Sequence, residues 1–488
     1  MRSLKILLVL PAGENVRVTA SGGHVPRRAM LRFSVLPLAT VAGLTPLEHQ
    51  VRIVDENVEP LEFDGDWDLV GITFMTALAP RAYEIAREFR RRGVTVVGGG
   101  YHPTLCPEDA AAHFDALVLG DAEPVWALLL EDLKRGDLKR RYGGSTVCHG
   151  AGGLGMGTVQ TARPRRELLE PHRRHYATLN AVQAGRGCRH ACRYCSVARF
   201  HGQQYHHRTV QDVLDEIRNL KGDFIFVDDN IIADREFSAE LFKALAPLGK
   251  RWVSQSSILI ADDPELLRLA HEAGCRGLFI GIETANEENL AMINKRFNDA
   301  TSYADRIAAI RRSGIGVIAG IIVGMDNDNR QVFENTLRFL LATGVDALQL
   351  NILTPLPGTP LFRDYADAGR LTDRDWTHYD YRHVVFEPSQ MSRAELQAGA
   401  DWLYAQFYRL DRVLWRFAKA VFKLGWMPAW LGLKLGLTYR YDNRRQGIRG
   451  WNPARCCTPR VARWSCAALV RCLQTSREFL QRGSVDVG

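Results

Sequence analysis

The feature that most constrains the fold is an alternation, run through twice, of short apolar stretches with longer segments of helical periodicity. In residues 1–140 the apolar stretches are "LKILLVL", "VRIVDE", "LVGITF", "VTVVGGG" and "ALVLGDAEP", separated by segments such as "PRAYEIAREFRRRG". A second series starts at "NAVQAGRGC" and continues through "DFIFVDDN", "RWVSQSSI", "RGLFIGIET", "IGVIAGIIVGMD" and "DALQLNILTPLPGTP". Neighbouring strands joined by a helix run parallel, so each series predicts a parallel sheet covered by helices, and the class is α/β. Six strands in the second series are too few for a closed eight-stranded barrel and predict a partial one. With 488 residues, 46% of them hydrophobic, the chain has material for two or three globular units.

Composition shifts mark the boundaries. "YGGSTVCHGAGGLGMGT" is glycine-rich and turns basic in "ARPRRELLEPHRRHY", as suits a connection between domains. The reading is a Rossmann-like first domain over 1–140, a linker over 141–178, the partial barrel over 179–365 and a basic, mainly helical region over 366–488. The opening "MRSLKILLVLPAG" lacks a small-x-small cleavage pattern, so Leu4 to Leu10 reads as a buried first strand. No run of about twenty apolar residues predicts a spanning helix. Ten unevenly spaced cysteines do not form a secreted disulfide framework and point to a reducing compartment, the cytoplasm.

Each strand of the first series ends in small or polar residues: Thr73, Met75 and Thr76; Gly98, Gly99, Gly100 and His102; Gly120, Asp121 and Glu123. Ligands of open parallel sheets sit beyond those carboxyl ends, where glycine lets backbone come close. The absence of Gly-x-Gly-x-x-Gly after the first strand disfavours a dinucleotide. In the second series Asp228, Asp229 and Asn230, then Gln255, then Glu283 and Thr284, then Gly324 collect where the strands stop. A loop in "GCRHACRYCSV" opens onto that rim with Cys188, Cys192 and Cys195. Structural zinc wants four closed ligands, the fourth being His190, His201, His206 or His207 here; an iron–sulfur cubane on three thiolates keeps one iron open. A closed electron-transfer cluster is the third choice, and the residues alone leave all three standing. Cys148 lies far from this loop and reads as incidental.

Cys-x3-Cys-x2-Cys with Tyr194 before the last cysteine resembles the radical S-adenosylmethionine (SAM) family over roughly 180–365. "VGITFMT", "VVGGGYHPT" and "LVLGDAEP" together resemble the cobalamin-binding domain found ahead of such enzymes. The two in this order resemble the cobalamin-dependent radical SAM enzymes, most of all the methyltransferases. The resemblance implies a [4Fe-4S] cluster on Cys188, Cys192 and Cys195, with SAM on the open iron. It implies SAM contacts from Tyr194, Asp228, Asp229, Gln255, Glu283, Gly324 and Lys295 or Arg296, and cobalamin contacts from the strand-end residues named above. "VDDN" stands where the family often has Gly-Gly-Glu, so Asp228 and Asp229 equally suit a helix cap or a buried hydrogen bond. The Asp-x-His-x-x-Gly motif is absent; His24 lacks its Asp and Gly, and the loop Pro11 to Arg28 or the turn at Met75 is expected beneath cobalt. "LPGTPLF", Leu356 to Phe362, is expected to close a loop over the site.

The function implied is methylation of an unactivated carbon or phosphorus centre through methylcobalamin and a 5′-deoxyadenosyl radical. The alternatives are cyclisation, rearrangement or oxidation without methyl transfer, and a non-catalytic cobalamin or metal sensor. The implied partners are a small-molecule substrate and a low-potential flavodoxin- or ferredoxin-like donor.

From Arg409 onward sixteen Lys and Arg face four acidic residues, against a net charge of +8 for the whole chain. The basic excess is therefore local, which suits a surface contact rather than nucleic-acid coating. Phe407, Leu410, Leu414, Phe417, Val421 and Leu424 recur at helical spacing, with Arg409, Arg412, Arg416, Lys419 and Lys423 on the opposite face. The first expectation is a helix packed on the barrel by its apolar stripe; the second, helped by Trp415, Trp426 and Trp430, is peripheral membrane contact. Cys456, Cys457, Cys466 and Cys472 fit no metal spacing and read as free thiols.

Overall fold

A computed structural model describes residues 3–13, 17, 32–144, 162–424 and 426–445. His24, Cys148 and Cys456, Cys457, Cys466 and Cys472 lie outside the described residues.

The first sheet contains β1 (Lys5–Leu10), β2 (Gln50–Asp55), β3 (Leu69–Thr73), β4 (Thr95–Gly99), β5 (Ala116–Leu119) and β6 (Arg141–Gly143). Their order is β2-β1-β3-β4-β5-β6 and every pair is parallel. Successive side chains of a strand point to opposite faces, so Ile6 and Leu8 meet one layer of helices while Leu7 and Val9 meet the other. Trp126, Leu129 and Leu130 cover the first face and Ile85, Ala86 and Phe89 the second. Strand order reverses at β1, which puts the crevice of a doubly wound sheet beyond the carboxyl ends of β1 and β3.

The second sheet contains β7 (Ala181–Val182), then β10 (Phe224–Phe226), β11 (Trp252–Ser256), β12 (Cys275–Glu283), β13 (Gly316–Val323) and β14 (Ala347–Ile352). It is parallel throughout in the order β14-β13-β12-β11-β10-β7, the open six-stranded half-barrel expected. Between β7 and β10 the chain makes a small antiparallel pair, β8 (Gly185–Gly187) with β9 (Tyr205–His207), that the sequence reading did not contain. Its ends hold the cysteine loop. Gly185 has no room for a side chain because the Tyr205 hydroxyl fills the space where a Cβ would stand.

Three boundaries differ from expectation. Residues 141–143 form the sixth strand of the first sheet rather than the start of a linker. The segment after the undescribed stretch is docked: Leu169 and Tyr176 are buried in the first core, and the Tyr176 hydroxyl donates to Asp55 at 3.0 Å. The boundary at 365 falls inside the helix Pro360–Asp367, whose first turn packs on the cysteine loop through Leu361 N to Arg193 O, 3.1 Å.

The remaining described chain is mainly helical, as expected, with helices Arg393–Phe407, Leu410–Leu424 and Trp426–Arg445. Ser392 starts the first of these with a reciprocal capping box to Glu395, satisfying two backbone donors at once. The second packs as expected but on a different face. Val413, Arg416 and Ala420 point inward, while Leu410 and Leu414 are exposed. Arg416 is accommodated because its guanidinium lies 3.9 Å over the Phe407 ring and donates to Phe407 O at 2.9 Å. No helix among the described residues is long and apolar enough to cross a membrane.

Candidate functional site

The cysteine loop is held from three sides. Backbone contacts join Arg193 N to Ile293 O at 3.0 Å and the Asn294 side chain to Ala191 O at 3.0 Å. At its base, Asp228 accepts from Ala184 N (3.0 Å) and Gly185 N, and Asp229 accepts from Gly187 N (2.8 Å). Both carboxylates of "VDDN" therefore serve the backbone of the cysteine loop. For Asp228, completely buried, this corrects the expectation of a SAM contact and realises the buried hydrogen bond weighed against it.

Cys192 is buried; Cys188 and Cys195 are partly exposed. Burial pushes the Cys192 thiol up to about 12 and the Cys195 thiol up to about 11, so thiolates here require a cation. The loop favours them locally: backbone N–H groups of Val197 and Ala198 face the Cys195 sulfur, and that of His190 faces Cys188. Three thiols in one loop, each raised by burial and two met by backbone donors, fit a cluster held by thiolates. Three of the four histidines weighed as a fourth ligand are engaged elsewhere. His190 stacks on Phe297 at 3.8 Å, His207 stacks on Phe237 at 4.0 Å, and His201 is buried beside Phe200.

Beside the loop, Lys295 Nζ lies 2.5 Å from Glu283 Oε1, and the Tyr194 hydroxyl donates to the same oxygen at 2.9 Å. Burial works against the Lys295 ammonium, but Glu283, with Cys192 and Cys195, outweighs it and raises the pKa. Glu283 has φ 66°, rare for a side chain with a Cβ, at a break of register between β12 and β13. Gly281 stands against this group: a Cβ there would meet Glu283 Oε1 at 2.5 Å and Lys295 Nζ at 2.8 Å. Arg296 is exposed.

The strands behind enclose an open interior. Gln255 and Gln349 are exposed although each lies within a strand, and register puts them on one face with Gly281 and Gly320. Gly324 has a packing reason for being glycine. Its φ is 98°, and a Cβ would stand 2.7 Å from Leu396 and 3.4 Å from Phe386.

At the carboxyl edge of the first sheet, Thr73 and Gly99 end their strands and Gly100 and Gly120 directly follow theirs, with Met75 47% exposed among them. Gly100 takes φ 97°, with Thr73 Oγ1 2.7 Å from where a Cβ would be, which draws the β4 turn tight against β3. These glycines and the exposed methionine fit a large flat cofactor laid across the edge. Three residues do not stand as expected. His102 is fully buried, held by Thr76 at 3.2 Å and Asp109 at 3.0 Å and packed against Phe74 and Trp376. Thr76 is buried with it, and Gly98 faces Phe114. Burial lowers the His102 pKa, and Asp109 only partly restores it.

Asp121 and Glu123 are the other correction. Instead of turning to the strand edge, they take Arg186 between them, at 3.0 Å and 2.7 Å. Arg186 lies in β8, two residues before Cys188, so the ion pairs bind the first domain to the base of the cysteine loop. Burial opposes the guanidinium, and the two carboxylates more than restore it. Tyr101, which follows Gly100, stacks on Phe200 at 4.6 Å, and burial beside Asp229 and Cys195 raises its phenol. Tyr381, at φ 66°, is raised by burial and by Cys195. Neither tyrosine hydroxyl has a hydrogen-bond partner among the described residues. Sequence reasoning missed Arg186, Tyr101, Tyr381 and Gln349; only the unusual Arg between two glycines could have drawn notice.

A strand edge shaped for a flat cofactor, facing a three-cysteine loop on a half-barrel, defines a radical enzyme with two cofactor domains. Family models agree: the B12 binding domain matches residues 31–130 and the radical SAM superfamily residues 182–340. The bacteriochlorophyllide d C-12(1)-methyltransferase of Chlorobaculum tepidum is 30% identical over 423 residues, 84% of this chain and 87% of that one. The hopanoid C-2 methylase of Rhodopseudomonas palustris is 29% identical over 355 residues, 69% of this chain and 65% of that one. The fold matches the radical SAM methyltransferase TsrM of Kitasatospora setae, solved with cobalamin and a [4Fe-4S] cluster, at TM-score 0.64 and 16% identity, covering 92% of this chain and 100% of that one. The chain belongs to the cobalamin-dependent radical SAM methyltransferases.

Proposed function

We propose that the enzyme methylates an unactivated carbon of a largely apolar, polycyclic molecule held between its two cofactor domains. The observation that carries this reading is the seam itself: Arg186 ties Asp121 and Glu123 of one domain to the loop that begins the cysteine trio of the other. Two sequence relatives whose names give bacteriochlorophyllide and hopanoid substrates support the apolar polycyclic class.

When bound, the cluster and SAM supply a radical that removes a hydrogen atom from the substrate, and cobalamin supplies the methyl group. The chain's part is to bind, orient and exclude water. Cys188, Cys192 and Cys195 hold the cluster. Tyr194, Glu283 and Lys295 form one preassembled polar group for SAM, with Gln255 reaching it from the open interior. Thr73, Met75, Gly99, Gly100 and Gly120 form the cobalamin edge. Tyr101 and Tyr381 flank the substrate, offering aromatic faces and one unpaired hydroxyl each. Electrons come from a low-potential flavodoxin- or ferredoxin-like protein of the cytoplasm.

The test is anaerobic reconstitution with S-methyl-labelled SAM and a panel of tetrapyrrole and triterpenoid acceptors. Label in the product, with one 5′-deoxyadenosine per methyl transferred, is expected. An altered but unlabelled product would replace methylation by rearrangement, and label transferred only to small polar acceptors would sink the substrate class.

A further inference from the structure

The helices Leu410–Leu424 and Trp426–Arg445 turn their large apolar side chains outward. Of the eleven large hydrophobic residues exposed among the described residues, seven lie here: Leu410, Leu414, Trp415, Phe422, Trp426, Trp430 and Leu437. They are not scattered. On the first helix Leu410, Leu414, Trp415 and Phe422 share the half opposite Val413, Arg416 and Ala420, which pack inward. On the second, Trp426, Trp430 and Leu437 are separated by four and seven residues, hence on one face, and the two indoles lie parallel at 6.0 Å. A water-facing helix has the reverse arrangement, polar outward and apolar inward. Contiguous exposed apolar surface of this kind marks an interaction site.

The chemistry around the row selects among occupants. Lys419 Nζ lies 4.2 Å over the Trp415 ring and Lys434 Nζ 5.6 Å over that of Trp430, so ammonium groups rim the apolar face. Between 409 and 445 there are nine Lys and Arg against two Asp. Tryptophan is the side chain best suited to the boundary between acyl chains and headgroups, and lysine stems lie along apolar surface while their charge stays in water. Neither helix is apolar enough to span a bilayer. We propose that this helical pair seats the enzyme on an anionic lipid surface, lying in the interface with Phe422, Trp426 and Trp430 inserted and Lys419 and Lys434 against lipid headgroups. The surface stands independently of the proposed substrate class, although an apolar polycyclic substrate would reach the enzyme from the same phase.

The experiment is flotation of the full-length protein with vesicles of phosphatidylglycerol and phosphatidylcholine, or of phosphatidylcholine alone. Wild-type protein is expected to float with the anionic vesicles, less so as salt is raised. The double variant Phe422→Ser/Trp426→Ser removes only exposed side chains and is expected to lower binding at least about tenfold. Lys419→Glu/Lys434→Glu is expected to abolish the preference for anionic lipid. Circular dichroism and iron content should match wild type in both. Wild-type protein that stays in the dense fraction overturns the proposal, as does equal flotation of wild type and the Phe422/Trp426 variant. A dimer in sedimentation that Phe422→Ser/Trp426→Ser dissolves, without flotation of wild type, would give the face to a second copy instead. Failure of methyl transfer would leave the flotation result untouched.

Discussion

Lys295 Nζ lies 2.5 Å from Glu283 Oε1 with both side chains nine-tenths buried, and Tyr194, one residue before a cysteine of the trio, donates to the same carboxylate oxygen. A buried pair of this kind contributes little net stability, but removing one partner leaves an uncompensated charge. Lys295→Met is expected to lower the unfolding free energy of the apo-protein by about 3 kcal/mol. Glu283→Gln combined with Lys295→Met should recover most of it. Urea unfolding of the two singles and the double measures the coupling; additive losses would mean the groups do not act as a pair.

Arg186 with Asp121 and Glu123 makes a second prediction. Arg186→Met leaves two neighbouring carboxylates of the first domain without their cation at the seam, at a cost of about 3 kcal/mol. Backbone amides of 119–125 should exchange faster in the variant, measured by hydrogen exchange. In the reconstituted enzyme 5′-deoxyadenosine should accumulate in excess over methylated product, because SAM cleavage needs only the barrel. Unchanged stoichiometry would remove the seam from any role in coupling.

The pH dependence of stability carries a third. Burial pushes the Asp228 carboxyl up to about 7, although Ala184 and Gly185 amides pull the other way, and pushes Asp328 up to about 6. An unfolded aspartate titrates near about 4. Between about 4 and about 7 the native state therefore holds more protons than the unfolded state, and these two groups make stability fall as pH rises. Asp228→Asn should flatten that fall in apo-protein unfolding measured across the window. A steeper fall in the variant would contradict the assignment.

Gly324 supplies a fourth. Alanine there must adopt φ 98° and set its Cβ 2.7 Å from Leu396. A loss of about 1–3 kcal/mol follows from strain and crowding. If SAM affinity per folded molecule is retained, the glycine serves packing; selective loss of SAM binding at unchanged stability would restore the adenine reading.

Much of the fold was legible because its signals are local. A buried parallel strand is a run of apolar residues, and three thiols within eight residues announce themselves. What was hidden depended on partners distant in sequence. Asp121 and Glu123 look alike whether they turn to a ligand or to an arginine 65 and 63 residues on, and His102 in "GGGYHPT" carries no mark of its burial against Trp376. The tripeptide "RYG" of β6 has no periodicity to read. Helical spacing alone assumes that arginine faces water, so Arg416, stacked inward on Phe407, shifted the packed face of its helix.

The loop at Gly358 touches both domains at once: a Cβ there would meet Leu105 of the first domain at 3.2 Å, and its carbonyl accepts from Arg199, four residues past the last thiol of the trio, at 3.0 Å. A chimera that exchanged only the first domain for a relative's would therefore import a mismatched surface under this turn. Recombination in this lineage should succeed where "LPGTP" travels with the amino-terminal module, so that the two segments inherit each other's shape.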